Sequence, residues 1–315
     1  MQSATQEKAW KYISIAGDVS EEQGRHLWQV LESALKEAMP GIVEQLDRYS
    51  VRDLLHKKEE LAQVLARGLW PLLREKALPT ELHQNEEVAS QREYLRDYRP
   101  KPLPGQVTRL RELFPELKDS VCQERLARFD PPDGAEAWFA FPSWETLGGS
   151  YHEAVERVLQ LLGSKRRFEN RVQGKLGLNY LRQTDRSEQA WKLLARQQPE
   201  CKILVLPVQA GMRHRGRSPR RARLMMAPHE FGLGVFATAI LILLHPERLG
   251  NQETLMLDCC GDDYSLSGDG HFERVPLFDV EIGGLNLSIF YRNRARALWG
   301  SATGFLVETP ALASL

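Results

Sequence analysis

Residues 278–291 read FDVEIGGLNLSIFY, two runs of strand-forming residues that meet at Gly283-Gly284. That arrangement suits a β-hairpin with a two-residue turn. Working outward, four more segments have strand character: AWFAF from Ala137, KILVLPVQ at 202–209, ETLMLDCC at 253–260 and TGFLVE at 303–308. Pro207 lies inside the second of these, so the sequence predicts an edge or a bulge there. Helical stretches fall between them. Ser150 and Glu153 form a capping box opening YHEAVERVLQLL, SEQAWKLLARQQ follows at 187–198, and FGLGVFATAILILL spans 231–244. About six strands and three or more helices without regular βαβ alternation favour an α+β fold over a doubly wound sheet.

The first 129 residues read differently. Ser20-Glu21-Glu22-Gln23 is a capping box, followed by Leu27, Val30, Leu31 and Leu35 at helical spacing. A second apolar stripe runs from Val51 to Leu72 and is closed by Pro79. RPKPLPG at 99–105 reads as an extended linker, and short helices are expected at Gln106–Leu117 and Ser120–Phe129. Pro131-Pro132 then ends the helical region. The expected organisation is α+β: an all-helical N-terminal region over 1–129, then a mixed or antiparallel sheet domain with packed helices over 130–315.

Composition bounds the function. Lys plus Arg number 42 and Asp plus Glu also 42, so the chain is not a generally basic nucleic-acid binder. Attraction for an anion has to come from a local patch. The N-terminus carries no secretory signal pattern. The apolar run 231–244 is shorter than a membrane span and is bracketed by Glu230 and Glu247, so it reads as a buried core helix and no membrane partner is expected. Cys122, Cys201, Cys259 and Cys260 lack the C-x-x-C spacing of a zinc or redox motif and read as reduced thiols, which fits a cytoplasmic location.

The local patch is AGMRHRGRSPRRARLMM, residues 210–226. Arg213, Arg215, Arg217, Arg220, Arg221 and Arg223 follow a strand and surround Gly216, Ser218 and Pro219, with no acid among them. Guanidinium forks bind phosphate in two-pronged fashion. These arginines, with His214 and Ser218, form the candidate anion or nucleic-acid site. Two further basic segments carry aromatics suited to base stacking. Phe168 and Tyr180 lie among Lys165, Arg166, Arg167, Arg171, Lys175 and Arg182, and Tyr291 and Trp299 flank Arg292, Arg294 and Arg296. The competing reading is internal pairing with Asp258, Asp262, Asp263, Asp269 and Glu273, which would make the stretch an ionic surface feature.

Those aspartates carry an alternative. Asp258, Asp262 and Asp263, with Asp269 or His271, offer oxygen ligands for Mg²⁺ or Mn²⁺ beside the arginines, a pairing suited to phosphodiester cleavage. No established loop spacing supports it, so the cofactor expectation is none, with Mg or Mn left open. His229 and Glu230, read as opening the apolar helix, are a candidate base or simply a cap. No Walker loop, G-x-G-x-x-G, G-x-S-x-G or H-E-x-x-H occurs. RHRG departs from the Arg-His-Gly of histidine phosphatases because Arg215 interrupts it.

The run from GMRHRGRSPRRAR through EFGLGVFATAILILLHPERL to LDCCGDDY resembles strings in a group of uncharacterised bacterial proteins, over about sixty residues. The resemblance implies a bacterial or mobile-element origin and adds no function or site assignment. The leading expectation is binding of nucleic acid or another phosphorylated ligand through the arginine loop, with no catalysis assigned. The alternatives are a metal-dependent phosphoesterase or nuclease using the aspartate loop, and a protein-interaction module whose partner surface is the N-terminal helices.

Overall fold

The computed structural model describes residues 82–307 except Asp97, together with Gln29, Glu32, Ser33, Lys36 and Glu37. The chain divides into two compact units, Met1–Pro79 and Thr80–Leu315. In the first, the five described residues are helical and Lys36 lies 2.8 Å from Glu32. The capping box at Ser20 and the stripe from Val51 to Leu72 lie outside the described residues.

The second unit is α+β with mixed sheets. Helix α1 (Leu103–Leu113) leads to the short strand β1 (Val121–Cys122) and then to β2 (Ala137–Pro142). Helices α2 (Trp144–Leu147) and α3 (Tyr151–Lys165) follow, then β3 (Phe168–Asn170), β4 (Leu181–Gln183), α4 (Asp185–Gln197) and β5 (Cys201–Gln209). Next come α5 (Pro219–Met225), β6 (Glu230–Gly232) and α6 (Val235–Leu244). The remainder is strand: β7 (Met256–Asp258), β8 (Asp262–Tyr264), β9 (Arg274–Glu281), β10 (Gly284–Tyr291), β11 (Trp299–Ser301) and β12 (Thr303–Phe305).

One sheet runs β1-β5-β12-β6, with β2 paired to the other side of β5. The other runs β11-β7-β9-β10-β3, with β8 and then β4 branching from β9. Strands β11 and β12 are separated only by Ala302, so one extended stretch passes from the second sheet to the first. Helix α6 is buried at all ten positions and packs chiefly on α3. Among the described residues no helix is long and apolar enough to cross a membrane.

The all-helical region reaching to residue 129 is overturned. Val121–Cys122 is a strand pairing in parallel with β5, and Leu103, Val107 and Leu110 of α1 belong to the same core as β2. Residues 80–129 therefore sit in the second unit, and the chain divides about fifty residues before the expected boundary at 129/130. The proline signals there were real but marked the loop between β1 and β2. The hairpin is present, with Glu281 paired to Gly284, so the two turn residues are Ile282 and Gly283. Pro207 lies where β5 pairs with β2 alone, between the short contacts with β1 and β12. A missing N–H costs little on such a half-edge.

Candidate anion-binding site

The arginine stretch begins where β5 ends. Met212–His214 form one 3-10 turn, and Ser218 caps α5 by accepting the Arg221 N–H at 3.0 Å. The short helix starts with Pro219 at N1, where its missing N–H is harmless.

Three chain segments knit together around it through backbone hydrogen bonds. Val88 N donates to Gly216 O at 2.8 Å and Ser218 N to Glu86 O at 3.0 Å. Gly216 N donates to Trp299 O at 2.8 Å and Arg220 N to Arg292 O at 2.9 Å. Gly216 (φ 73°) is required here, because a Cβ would overlap the carbonyl oxygen of Val88. Residues 82–92, 212–223 and 291–299 thus form one contiguous surface.

Most of the six arginines are already matched. Arg213 meets Glu230 at 3.3 Å, Arg217 and Arg221 meet Glu87 at 3.5 and 2.5 Å, and Arg220 pairs with Glu86. Arg223 reaches Asp263 at 2.7 Å and the carbonyls of Cys260 and Asp262. Among the described residues Arg215 donates to Arg92 O alone. His214 and Ser218 are fully buried and cannot touch a ligand in this arrangement. The expected open loop is instead largely an internal ionic network. Its main partners, Glu86 and Glu87, were not among the acids weighed from sequence. HQNEE at 83–87 was the only available signal, more than a hundred residues away.

The hub of the network is Glu230. It lies in β6, four residues before the N-cap of α6, so neither it nor His229 opens that helix. Its carboxylate accepts from His214 Nε2 at 2.8 Å, Thr303 Oγ1 at 2.6 Å, Ala227 N at 2.9 Å and Arg213 Nε. Burial opposes ionisation, yet these donors hold Glu230 below the ordinary carboxylate range. Burial lowers the His214 pKa. Arg217 Nη1 also lies 3.2 Å from Nδ1, which must then accept. The imidazole is therefore neutral with its proton on Nε2, and it acts on Glu230 as a hydrogen-bond donor without a charge.

The three candidate metal ligands diverge. Asp258 faces Arg296 at 3.7 Å. Asp262 accepts from Val235 N at 2.7 Å and from the Tyr151 hydroxyl. Asp263 is taken by Arg223 and Arg182. Asp269 is exposed and bonds to Ser265 and the His271 N–H. Among the described residues no group of three metal-ligating side chains converges. Asp258, Asp262 and Asp263 are each engaged by another group of the protein.

Burial lifts Asp258 and Asp262 to about 7. For each, the folded state holds its proton more tightly than the unfolded chain, so stability is full below pH ~4 and declines as pH rises through about 7. Thermal midpoints measured from pH 5 to 8 should therefore fall less steeply for Asp262→Asn than for the wild type. Parallel curves would show that Asp262 is ionised throughout.

The other basic segments fare differently. Arg171 pairs with Glu169 and Glu281, and Arg166 donates to the carbonyls of Pro246 and Leu249. Strand β3 pairs with Leu285–Leu287 of β10, and Arg171 Nη1 lies 3.4 Å from Ser288 Oγ. At the far end of this segment Arg182 shares Asp263 with Arg223, so that end reaches the arginine network. The 291–299 segment joins it directly, through Arg292 O and Trp299 O. Arg274 stacks on Tyr291 at 3.3 Å, and Arg296 stacks on Phe290 and Trp299 at 3.9 and 3.7 Å. Tyr291 is 41% exposed. The side chains of Arg292 and Arg294 make no hydrogen bond or ion pair among the described residues.

Comparison with known protein families, curated proteins and solved structures gives no match for this chain.

Proposed function

We propose that the protein binds a polyanion, most simply the phosphate backbone of nucleic acid, on the surface where residues 82–92, 212–223 and 291–299 meet. One observation supports this reading above the others. These segments carry ten arginines, and six of them share five carboxylates: Glu86, Glu87, Glu230, Asp258 and Asp263. Arg92, Arg215, Arg292 and Arg294 meet no carboxylate within ion-pair distance among the described residues. Four such arginines in one patch stand out in a chain whose formal net charge is zero. They favour phosphate by Coulomb attraction and counterion release. Exposed Tyr291 adds a stacking face beside Arg274.

The reading moves the contact residues. Arg292 and Arg294 are the side chains free to meet phosphate, whereas Arg217, Arg220 and Arg221 hold Glu86 and Glu87. Fluorescence anisotropy with a labelled 20-nucleotide single strand, titrated between 50 and 200 mM salt, tests it. Changing Arg292 and Arg294 together to alanine should weaken binding about tenfold. It should also flatten the slope of log affinity against log salt by about 1.4, at roughly 0.7 per lost contact. Unchanged affinity in that variant removes the open rim from the binding surface.

Hydrolysis by a metal-assisted route finds no support in the separated aspartates. The protein-interaction reading rests on N-terminal helices of which the structure describes five residues before Leu82, together with α1, which belongs to the core of the second unit.

A further inference from the structure

Leu82–Ser90 contributes almost nothing to the core. Leu82 and Val88 are 44% and 42% exposed, and Glu86 is the one buried residue of the segment. Its secondary structure is a single 3-10 turn, Gln84–Glu86, entered through His83 in the left-handed region (φ 61°). What holds it is polar. Glu86 accepts from Ser218 Oγ at 2.6 Å and pairs with Arg220, and Glu87 pairs with Arg217 and Arg221. Leu82 O accepts from Arg221 Nη1 at 3.0 Å, and one isolated bridge joins Glu87 to Arg217. Against burial, the Arg220 and Ser218 hydrogen bonds hold Glu86 below the ordinary range, and Arg221 and Arg217 do the same for Glu87.

Two adjacent carboxylates therefore occupy a cradle of three guanidiniums and a hydroxyl. The same donors suit two successive phosphates, because Arg forks bind carboxylate and phosphate with the same geometry. The cradle also adjoins the unmatched Arg292, whose carbonyl receives the Arg220 N–H.

We propose that Leu82–Ser90 is a displaceable acidic strap. Glu86 and Glu87 stand where nucleic-acid phosphates bind, and the strap holds the arginine cradle closed until a polyanion competes it away. This rests on the polyanion-binding reading and extends it: Arg217, Arg220 and Arg221 become contacts only after the strap leaves. No covalent bond is made or broken; the strap's ion pairs and its backbone hydrogen bonds to Gly216 and Ser218 are exchanged for contacts to phosphate.

The full-length chain tests this with the same labelled strand. Glu86→Gln with Glu87→Gln should bind at least about tenfold tighter than wild type, with a salt slope steeper by about 2 for three released arginines. Amide hydrogen exchange on the unaltered protein gives a second measure, independent of whether that variant folds. Exchange across residues 82–90 should speed up when the strand is added. A folded double variant that binds no tighter, or exchange that stays the same or slows, overturns the strap. Loss of binding in the Arg292 and Arg294 variant with no gain in the glutamine variant leaves the open rim standing alone. Tighter binding by the glutamine variant with no effect at Arg292 and Arg294 supports the strap and rejects the rim. Failure of both wild type and glutamine variant to bind at 50 mM salt overturns both.

Discussion

Replacing Arg248 by methionine is expected to destabilise the second unit by about 5 kcal/mol, the largest loss of any single substitution considered, because it leaves buried acceptors without donors. Arg248 is fully buried. Its Nε and Nη2 both donate to Ala210 O, at 3.0 and 2.5 Å. Nη1 donates to Leu255 O at 2.6 Å and to Thr254 Oγ1 at 3.3 Å. The guanidinium lies over the Tyr94 ring at 4.3 Å. No carboxylate comes within ion-pair distance among the described residues, so carbonyl dipoles and a ring face carry the charge. Methionine keeps much of the volume and removes every donor. Lysine should rescue little, because one ammonium cannot span the Ala210 and Leu255 carbonyls as a planar fork does. Ala210 is the residue before Gly211, so the same bonds fix the point where the arginine stretch leaves β5. Urea unfolding of Arg248→Met and Arg248→Lys measures the effect. A loss under 1 kcal/mol in both would show that the buried fork is dispensable.

Glu230→Gln is expected to cost about 3–5 kcal/mol, the range for removing one partner of a buried ionic group. At 2–4 °C per kcal/mol for a unit of this size, that lowers the thermal midpoint by roughly 10 °C. The reason is donor counting. Oε1 receives His214 Nε2–H and the Thr303 hydroxyl, while Oε2 receives Ala227 N–H and Arg213 Nε–H. A glutamine amide placed toward Oε2 points its own donors at two others. Placed toward Oε1 it meets the imidazole N–H, and the tautomer cannot switch because Arg217 already donates to Nδ1. Neither orientation satisfies the site. The pH dependence has a definite sign. Since Glu230 is held below its ordinary pKa, its contribution is present above about pH 4.5 and is lost as pH falls below that. Glu230→Gln should therefore lose most at neutral pH and converge on wild type in acid. Arg294→Ala, at an exposed side chain with no partner among the described residues, is the control and should shift stability by no more than about 0.5 kcal/mol. A Glu230→Gln midpoint equal to that of the control would remove the hub.

Some of the fold was legible because local chemistry fixes it. FDVEIGGLNLSIFY was readable as a hairpin, since strand propensity and a glycine turn act within fourteen residues. Ser150 caps α3 as the S-x-x-E pattern requires, with Glu153 Oε2 returning to the Gly149 N–H. The apolar run 231–244 was readable as core but not as one element. Gly234 breaks it, because Asp262 sits where a Cβ at that position would be and bonds the first N–H of α6. Strand β1 was illegible: two residues carry no period, and only β5 makes Val121–Cys122 a strand. The site divided along the same line. Sequence located the arginines and could not say what they face, because Glu86 and Glu87 come from a segment 134 residues away. It also passed over Arg248, one arginine in an unremarkable HPERL, although burial makes it the cation with most at stake.

Short-range pattern, namely the hairpin, the helix cap, the apolar helix and the clustering of cations, was determined by the sequence alone, because backbone propensity and side-chain periodicity act within a few residues. Which charges are spent inside the molecule and which remain for a partner was decided only by the tertiary structure. Ion pairing depends on distances of a few ångströms between residues far apart in the chain, and those distances exist only once the chain has folded.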